Sequence, residues 1–200
     1  MIETATLWQL IEARADATPD AILAIDGDGR EMDFRKYRDE CLRTARGLVG
    51  LGVGPGRVVS WMLPTRMESM ILVGALSRLD AIQNPILPIY RTREVRFIAN
   101  QCKPCLLVTP PEWRGFDYPA MATEIAAEHE DMQTLVVDHD LPSAGQEVEL
   151  PPAPAALDPA KLPVRWLFYT SGTTADPKGV KHTDASLWAA AKGMSIALDM

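Results

Sequence analysis

The chain has 200 residues, of which 47% are hydrophobic, and it carries a formal net charge of −7 at pH 7. The hydrophobic fraction is typical of a globular protein with a core, whereas the negative charge and the lack of a basic stripe argue against nucleic-acid binding. No apolar run approaches the length of a transmembrane helix, and the N-terminus lacks the basic and apolar regions of a signal peptide. We therefore expect a cytoplasmic protein that has no transmembrane segment.

Helical and extended patterns alternate along the chain. Helices are predicted from their apolar spacing at 7–15, 34–51, 67–79, 92–101, 119–129 and 184–200. Strands are predicted at 57–63, 106–109, 133–137 and 164–169, with a hairpin formed by 21–25 and 31–34. The segment 81–89 is predicted to be a strand or an extended stretch that Pro85 and Pro88 interrupt. This alternation predicts an α/β fold with a mostly parallel sheet flanked by helices.

A proline-rich connection separates the last predicted strand from the preceding ones. Residues 141–163 contain six prolines and show little periodicity, which is typical of a surface connection rather than a core element. The strand predicted at 164–169 then delivers the stretch YTSGTTADPKGVKHT, residues 169–183, at its carboxyl end. In α/β sheets, ligands bind at the carboxyl ends of the strands.

The glycine-rich stretch at 50–56 resembles a dinucleotide-binding loop in composition but not in context. Such a loop follows a strand and begins a helix, whereas this stretch follows a predicted helix and precedes a predicted strand. It is therefore predicted to be a helix end followed by a tight turn.

Two of the three cysteines, Cys102 and Cys105, form a C-x-x-C pair. A redox pair of the thioredoxin type begins a helix after a strand, whereas this pair follows a predicted helix and leads into a predicted strand. A zinc site would need a second pair of ligands, and none is spaced nearby. We therefore expect two core or boundary thiols, and a redox protein remains an alternative that thiol alkylation would distinguish.

The stretch 169–183 is rich in hydrogen-bond donors that suit phosphate. Gly172 permits a positive φ, so that successive backbone N–H groups can turn toward an anion, and Lys178 adds a positive charge. The side-chain hydroxyl donors are Thr170, Ser171, Thr173 and Thr174. The stretch is not a Walker-type loop, because the chain has no Gly-Lys pair, and it is not a nucleophile elbow, because residue 169 is tyrosine rather than glycine.

The ordered motif Tyr-Thr-Ser-Gly-Thr-Thr-x-x-Pro-Lys-Gly at 169–179 closely resembles the signature loop of the adenylate-forming superfamily. That superfamily comprises acyl- and aryl-CoA synthetases, the adenylation domains of peptide synthetases, and luciferases of the firefly type. Segments 17–20, 51–56 and 81–85 also resemble its opening region, in the right order. The resemblance covers essentially all of residues 1–200. It implies the N-terminal portion of the large domain, with the rest of that domain and the C-terminal domain absent.

The resemblance also implies a reaction and the residues that serve it. The residues that would hold the phosphates of ATP are Thr170, Ser171, Gly172, Thr173, Thr174 and Lys178. Lys178 would in addition orient the departing pyrophosphate. Magnesium would accompany the phosphates, a small carboxylic acid would be activated as an acyl-adenylate, and coenzyme A would be the thiol acceptor. Two positions depart from the family pattern: Ala175 stands where glycine is usual, and His182 lies away from the usual histidine position, so we assign His182 no catalytic role.

Other readings within and beyond this superfamily stay open. Residues 84–91 are more similar to acyl-CoA synthetases, a group that includes enzymes of fatty acid metabolism, than to peptide-synthetase domains. The alternatives are a peptide-synthetase-type adenylation domain and a non-catalytic nucleotide-binding or interaction module. The acyl pocket and the catalytic lysine of the C-terminal domain would lie beyond Met200, so the identity of the acid and the oligomeric state are left open. We expect residues 1–200 alone to make no acyl-adenylate and to bind ATP weakly.

Overall fold

A central six-stranded sheet organises the computed structural model, which describes residues 6–155, 162–170 and 176–199. The helices are α1 (Leu7–Ala17), α2 (Phe34–Val49), α3 (Met67–Arg78), α4 (Thr92–Cys102), α5 (Tyr118–Ala126) and α6 (Asp184–Ala197). The strands are β1 (Ile22–Ile25), β2 (Glu31–Asp33), β3 (Val58–Trp61), β4 (Ile82–Pro85), β5 (Leu106–Thr109), β6 (Glu112–Trp113), β7 (Phe116–Asp117), β8 (Gln133–Val136), β9 (Trp166–Thr170) and β10 (Lys178–His182).

The strand order of this sheet is β10-β9-β4-β3-β5-β8. Every neighbouring pair is parallel except β9 and β10, which pair antiparallel. The predicted hairpin β1–β2 and a second short hairpin, β6–β7, lie outside this sheet. The predicted α/β fold with a mostly parallel sheet flanked by helices is therefore confirmed.

Helices cover both faces of the sheet. Leu106 and Val108 of β5 belong to a hydrophobic cluster that also contains residues of α2 and α3, which we call the α2/α3 face. Leu107 belongs to a second cluster that contains residues of α4 and α5, the α4/α5 face. Alternate residues of a strand point to opposite faces. All four residues of β5 are consequently buried. A continuous run of buried residues is typical of a parallel strand whose two faces are both covered.

The glycine-rich stretch ends α2 and turns the chain toward β3, as predicted. Gly52 and Gly56 have φ values of 73° and 71°, a left-handed conformation that glycine adopts without the steric cost of a Cβ atom. The backbone N–H of Gly56 donates to the carbonyl oxygen of Asp80 at 2.9 Å, shortly before β4 begins. The turn therefore also holds the starts of β3 and β4 side by side.

The sequence patterns do not predict the strands β6, β7 and β10. The residues of β10 have no clear alternation of apolar and polar side chains, and they are extended because five of them pair with β9. Antiparallel pairing satisfies the backbone groups of such a segment whatever its side chains are. β4 ends at Pro85, the first of the two prolines predicted to interrupt that segment.

The described part of the proline-rich connection lies against the helices of the α2/α3 face. Leu141 and Leu150 are partly buried and pack against the cluster on that face. A Cβ atom built on Gly47 of α2 would overlap the backbone of Pro142 and lie 2.6 Å from the amide nitrogen of Ser143. A glycine at this position therefore allows the connection to approach the helix closely.

We predict that Gly47→Ala destabilises the protein by up to about 2 kcal/mol. Alanine favours a helix by about 1 kcal/mol relative to glycine, but crowding against a fixed backbone costs about 1–3 kcal/mol. The matched control is Gly193→Ala in α6, where the added Cβ has no heavy atom within 4 Å apart from its chain neighbours and the nearby backbone of its own helix; it should raise stability by up to about 1 kcal/mol. Urea unfolding measures both, and equal stabilisation by the two substitutions would contradict this packing.

Candidate active site

The predicted phosphate-binding stretch connects β9 to β10 at one end of the sheet. Because β9 runs parallel to β4, its carboxyl end lies on the same edge as those of the other parallel strands, the edge where α/β sheets bind ligands. Thr170 is the last residue of β9 and Lys178 the first of β10, and the two are direct partners in the antiparallel register. Side chains of such partners lie on the same face.

The structure thus brings two of the six predicted site residues together. Thr170 and Lys178 are both exposed, so a hydroxyl and an ammonium group are presented side by side at this edge. The other four predicted residues, Ser171, Gly172, Thr173 and Thr174, lie outside the described residues. Lys178 is predicted from sequence as part of a loop, whereas in the structure it begins a strand, so its backbone position is fixed by pairing with β9.

Three aromatic side chains lie on the same face of the hairpin as the side chains of Thr170 and Lys178. Trp166 and Phe168 stack with ring centroids 6.0 Å apart, and the rings of Phe168 and His182 form a T-shaped pair with centroids 5.6 Å apart. The indole N–H of Trp166 donates to Asp184 Oδ1 at 2.8 Å. Asp184 lies in the first turn of α6, so the base of the hairpin is tied to the start of that helix.

Tyr169 anchors the opposite face of the hairpin. Its ring packs against the cluster of the α4/α5 face, and its hydroxyl donates to Gln101 Oε1 of α4 at 2.6 Å. A Cβ atom on Gly179, its partner across the hairpin, would lie 3.1 Å from Cζ of the Tyr169 ring. This close approach gives a physical reason for the glycine that follows Lys178 in the motif.

His182 has a structural environment. Its Nδ1 lies 3.1 Å from Ser186 Oγ near the start of α6, and its ring contacts Phe168. The residue lies at the far end of β10 from Lys178, four positions along the strand.

The C-x-x-C pair is not a redox site. Cys102, Cys105 and Cys41 are free thiols. Cys105 belongs to the cluster of the α2/α3 face, whereas Cys102 packs against that of the α4/α5 face, so the two side chains lie on opposite sides of the sheet. Burial raises the pKa of the Cys102 thiol, which lowers the thiolate fraction that redox chemistry needs. The prediction of two core or boundary thiols is confirmed.

Among the described residues, no group of three or more His, Cys, Asp or Glu side chains is arranged so that it could hold a metal ion. Within residues 6–155, 162–170 and 176–199, no helix has both the length and the hydrophobicity that a membrane span requires.

Comparison with known proteins decides the family. A family model described as AMP-binding enzyme matches residues 11–199. The chain belongs to the AMP-binding enzyme family. The resemblance of the loop to that of adenylate-forming enzymes is therefore confirmed, because the match extends over nearly the whole chain and not only over the motif.

Three relatives illustrate the range of this AMP-binding family. A protein named as a non-canonical nonribosomal peptide synthetase, CymA of Salinispora arenicola, is 30% identical over 94% of this chain, which spans 2% of CymA. A salicyl-AMP ligase / salicyl-S-ArCP synthetase of Mycobacterium tuberculosis is 29% identical over 89% of this chain and 33% of its own length. The structure of O-succinylbenzoate coenzyme A synthetase (MenE) from Bacillus subtilis, in complex with AMP, has a TM-score of 0.78 and 25% identity, covering 98% of this chain and 46% of that one.

These matches fix the fold and the family but leave the thiol acceptor open. The chain spans less than half the length of each of these three relatives. The relatives include both coenzyme A ligases and peptide synthetases. The agreement with the MenE structure confirms that the mostly parallel sheet is that of the adenylate-forming enzymes.

Several residues that shape the site are missed by sequence reasoning. Asp184 could have been suggested by its place directly after Thr183, since a threonine N-cap followed by an acidic residue is a helix-start pattern. Gly179 lies in the quoted motif, but its contact with the Tyr169 ring depends on β10, which is not predicted. Asn84 is a polar residue in a buried strand, and such residues need hydrogen-bond partners, although the sequence does not name them.

We predict that Tyr169 makes the stability of the protein fall more steeply at high pH. Burial, with a smaller contribution from nearby Cys102, raises the pKa of Tyr169 from 10.0 to about 12. Between these values the unfolded chain loses the proton and the folded chain keeps it, so this contribution to stability is complete below pH 10 and is lost by about pH 12. Thermal unfolding from pH 8 to 11 should therefore decline less steeply for Tyr169→Phe than for the unmodified protein.

The comparison uses the slope of stability with pH, because Tyr169→Phe also removes the hydrogen bond to Gln101 at every pH. Burial raises the pKa values of Tyr37 and Cys41 as well, and both groups are present in the two proteins compared. Parallel curves would show that Tyr169 ionises equally in the folded and unfolded chain.

Proposed function

We propose that this chain is part of an enzyme that activates a carboxylic acid with ATP and transfers the acyl group to coenzyme A. The observation that carries the proposal is the pairing of Thr170 with Lys178 at the carboxyl edge of the sheet, in a chain of the AMP-binding family. The residues proposed to bind the phosphates are Thr170, Ser171, Gly172, Thr173, Thr174 and Lys178.

The proposed first step forms a mixed anhydride. A carboxylate oxygen attacks the α-phosphorus of ATP, the bond from that phosphorus to the bridging oxygen of the β-phosphate breaks, and pyrophosphate leaves with the electron pair. The departing group gains negative charge during this step. Donors and a cation placed at that position stabilise the transition state more than the ground state. Magnesium bound to ATP would neutralise part of the phosphate charge.

The proposed second step transfers the acyl group from AMP to a thiol. The thiolate attacks the acyl carbon, the bond to the AMP oxygen breaks, and AMP leaves. We propose coenzyme A as the acceptor because residues 84–91 are similar to those of acyl-CoA synthetases and because the MenE structure is a close match in fold. The similarity to CymA supports a carrier-protein thiol as the second candidate.

We predict that the full-length polypeptide carrying this chain catalyses carboxylate-dependent exchange between ATP and pyrophosphate. Exchange requires reversible formation of an acyl-adenylate, so it tests the first step without assuming the thiol. A panel of carboxylic acids with labelled pyrophosphate identifies the substrate class. ADP formation, or no acid-dependent exchange across a broad panel, would favour a non-catalytic nucleotide-binding module. Addition of coenzyme A or of a phosphopantetheinyl carrier protein to the active reaction then distinguishes the two acceptors.

We predict that Lys178→Ala lowers kcat for adenylation by about 10²-fold, with a smaller change in KM for ATP. Loss of one group that stabilises developing charge typically has an effect of this size. The matched control is Lys181→Ala, which removes the same charge from the same strand. Lys181 is exposed and pairs with Leu167, so its side chain lies on the opposite face from that of Lys178. An unchanged kcat with a raised KM for ATP would assign Lys178 to ground-state binding instead.

A further inference from the structure

In the contact between β4 and β9, a proline stands at a position where the regular hydrogen-bond pattern requires a backbone N–H group. In a parallel pair, alternate residues of one strand direct their N–H groups toward the same neighbour. The N–H of Gln83 donates to the carbonyl oxygen of Arg165 at 2.7 Å. The next residue of β4 that faces β9 is Pro85, which has no N–H. The regular partner of a Pro85 N–H would be the carbonyl oxygen of Leu167.

The side chain of Asn84 takes over this missing bond. Its Nδ2 donates to the carbonyl oxygen of Leu167 at 2.8 Å. Asn84 is fully buried, with 0% of its surface exposed, so an unpaired amide or carbonyl here would be costly. A side-chain amide therefore continues the hydrogen-bond ladder past the proline and joins β4 to β9 three residues before Thr170.

The Leu167 carbonyl fixes the orientation of the Asn84 amide. A carbonyl oxygen can only accept, so Nδ2 must face it and Oδ1 must point the other way. There Oδ1 accepts a hydrogen bond from the hydroxyl of Ser60 in β3 at 2.8 Å and a weaker one from the thiol of Cys102 at 3.6 Å. The result is a side-chain bridge across three adjacent strands, β3, β4 and β9.

This bridge matters because β9 pairs more extensively with β10, its partner in the hairpin, than with β4, its other neighbour in the sheet. β9 shares five register pairs with β10, whereas its register with β4 consists of the single pair Gln83–Trp166. An ion pair between Arg165 and Asp80 adds a contact at the start of β9, away from the site. Asn84 acts closer to the end of β9 at which Thr170 and Lys178 lie.

We propose that Asn84 is a positioning residue that fixes the β9–β10 hairpin, and with it Thr170 and Lys178, relative to β3 and β4. Its structural role follows from the hydrogen bonds alone, and its effect on catalysis rests on the proposed adenylation. Asn84 acts through the hairpin backbone and does not itself contact the phosphates.

This role can be tested by removing the Asn84 side chain and then supplying the missing backbone N–H group at position 85. The reference protein is Ser60→Ala, which removes the hydroxyl that would otherwise lose its acceptor. In this background, Asn84→Ala should speed amide hydrogen exchange in β9 and β10 by about tenfold, the loss of one buried hydrogen bond, with little change in α2. Adding Pro85→Ala supplies an N–H directed at the Leu167 carbonyl, and it should restore slow exchange. Faster exchange that Pro85→Ala does not reverse would overturn the proposal.

Gln83→Leu is the matched control. Gln83 is equally buried, but its side-chain amide donates to the Val73 carbonyl at 3.1 Å and to Ser77 Oγ at 2.9 Å, both in α3. Its replacement should lower global stability without a selective effect on the hairpin. In the unmodified chain, one amide proton of Asn84 should exchange far more slowly than those of exposed side chains, a result that needs no variant; fast exchange there would contradict the bridge.

The catalytic consequence is measured separately in the full-length polypeptide. Asn84→Ala in the Ser60→Ala background should lower kcat for adenylation about tenfold with a smaller change in KM for ATP, and Pro85→Ala should restore kcat. If the exchange pattern follows the proposal but the unmodified enzyme lacks carboxylate-dependent activity, the proposed function fails and the positioning role stands. If adenylation is present and neither hydrogen exchange nor kcat responds to Asn84, the positioning role fails and the function stands.

Discussion

A proline at the end of an internal parallel strand leaves the carbonyl of its neighbour without a backbone donor, and the edge of the sheet that carries the candidate site is arranged around that gap. A buried carbonyl without a partner costs free energy comparable to a lost hydrogen bond. Asn84 supplies the donor to Leu167, while the N–H of Ile86 donates to the Trp61 carbonyl at 2.8 Å and keeps β4 beside β3. At this end of β4, a backbone hydrogen bond therefore holds the strand to β3, and a side-chain hydrogen bond holds it to β9.

Asp184 joins the beginning and the end of the described chain at β9, the strand to which Asn84 also bonds. One carboxylate oxygen accepts the indole N–H of Trp166, and the other accepts the backbone N–H of Leu7 at 3.0 Å. A carboxylate in the first turn of α6 also interacts favourably with the helix dipole. The start of α1, the start of β9 and the start of α6 thus share one charged group, so a change at Asp184 would also affect the hairpin.

The parts of the structure that can be predicted from the sequence are those in which the local pattern and the final environment agree. The run at Leu106–Thr109 is a strand by composition and is buried on both faces in the structure, and the glycines at 52 and 56 adopt the positive φ that their spacing suggests. β10 differs, because its extended conformation comes from pairing with β9 rather than from its own residues. The role of Asn84 also depends on a carbonyl 83 positions away. No local pattern contains that information.

The strand conformation of β10 changes how Lys178 can act on a phosphate. In a mobile loop, ordering the lysine would oppose binding through lost conformational entropy, whereas pairing with Thr170 fixes its Cα before any ligand arrives. Both side chains are nevertheless exposed, and water screens an exposed charge and competes for the same donors. The free energy that this hairpin alone can contribute to ATP binding is therefore small. Under the proposed adenylation, the contribution of the hairpin would increase if water were excluded from the site.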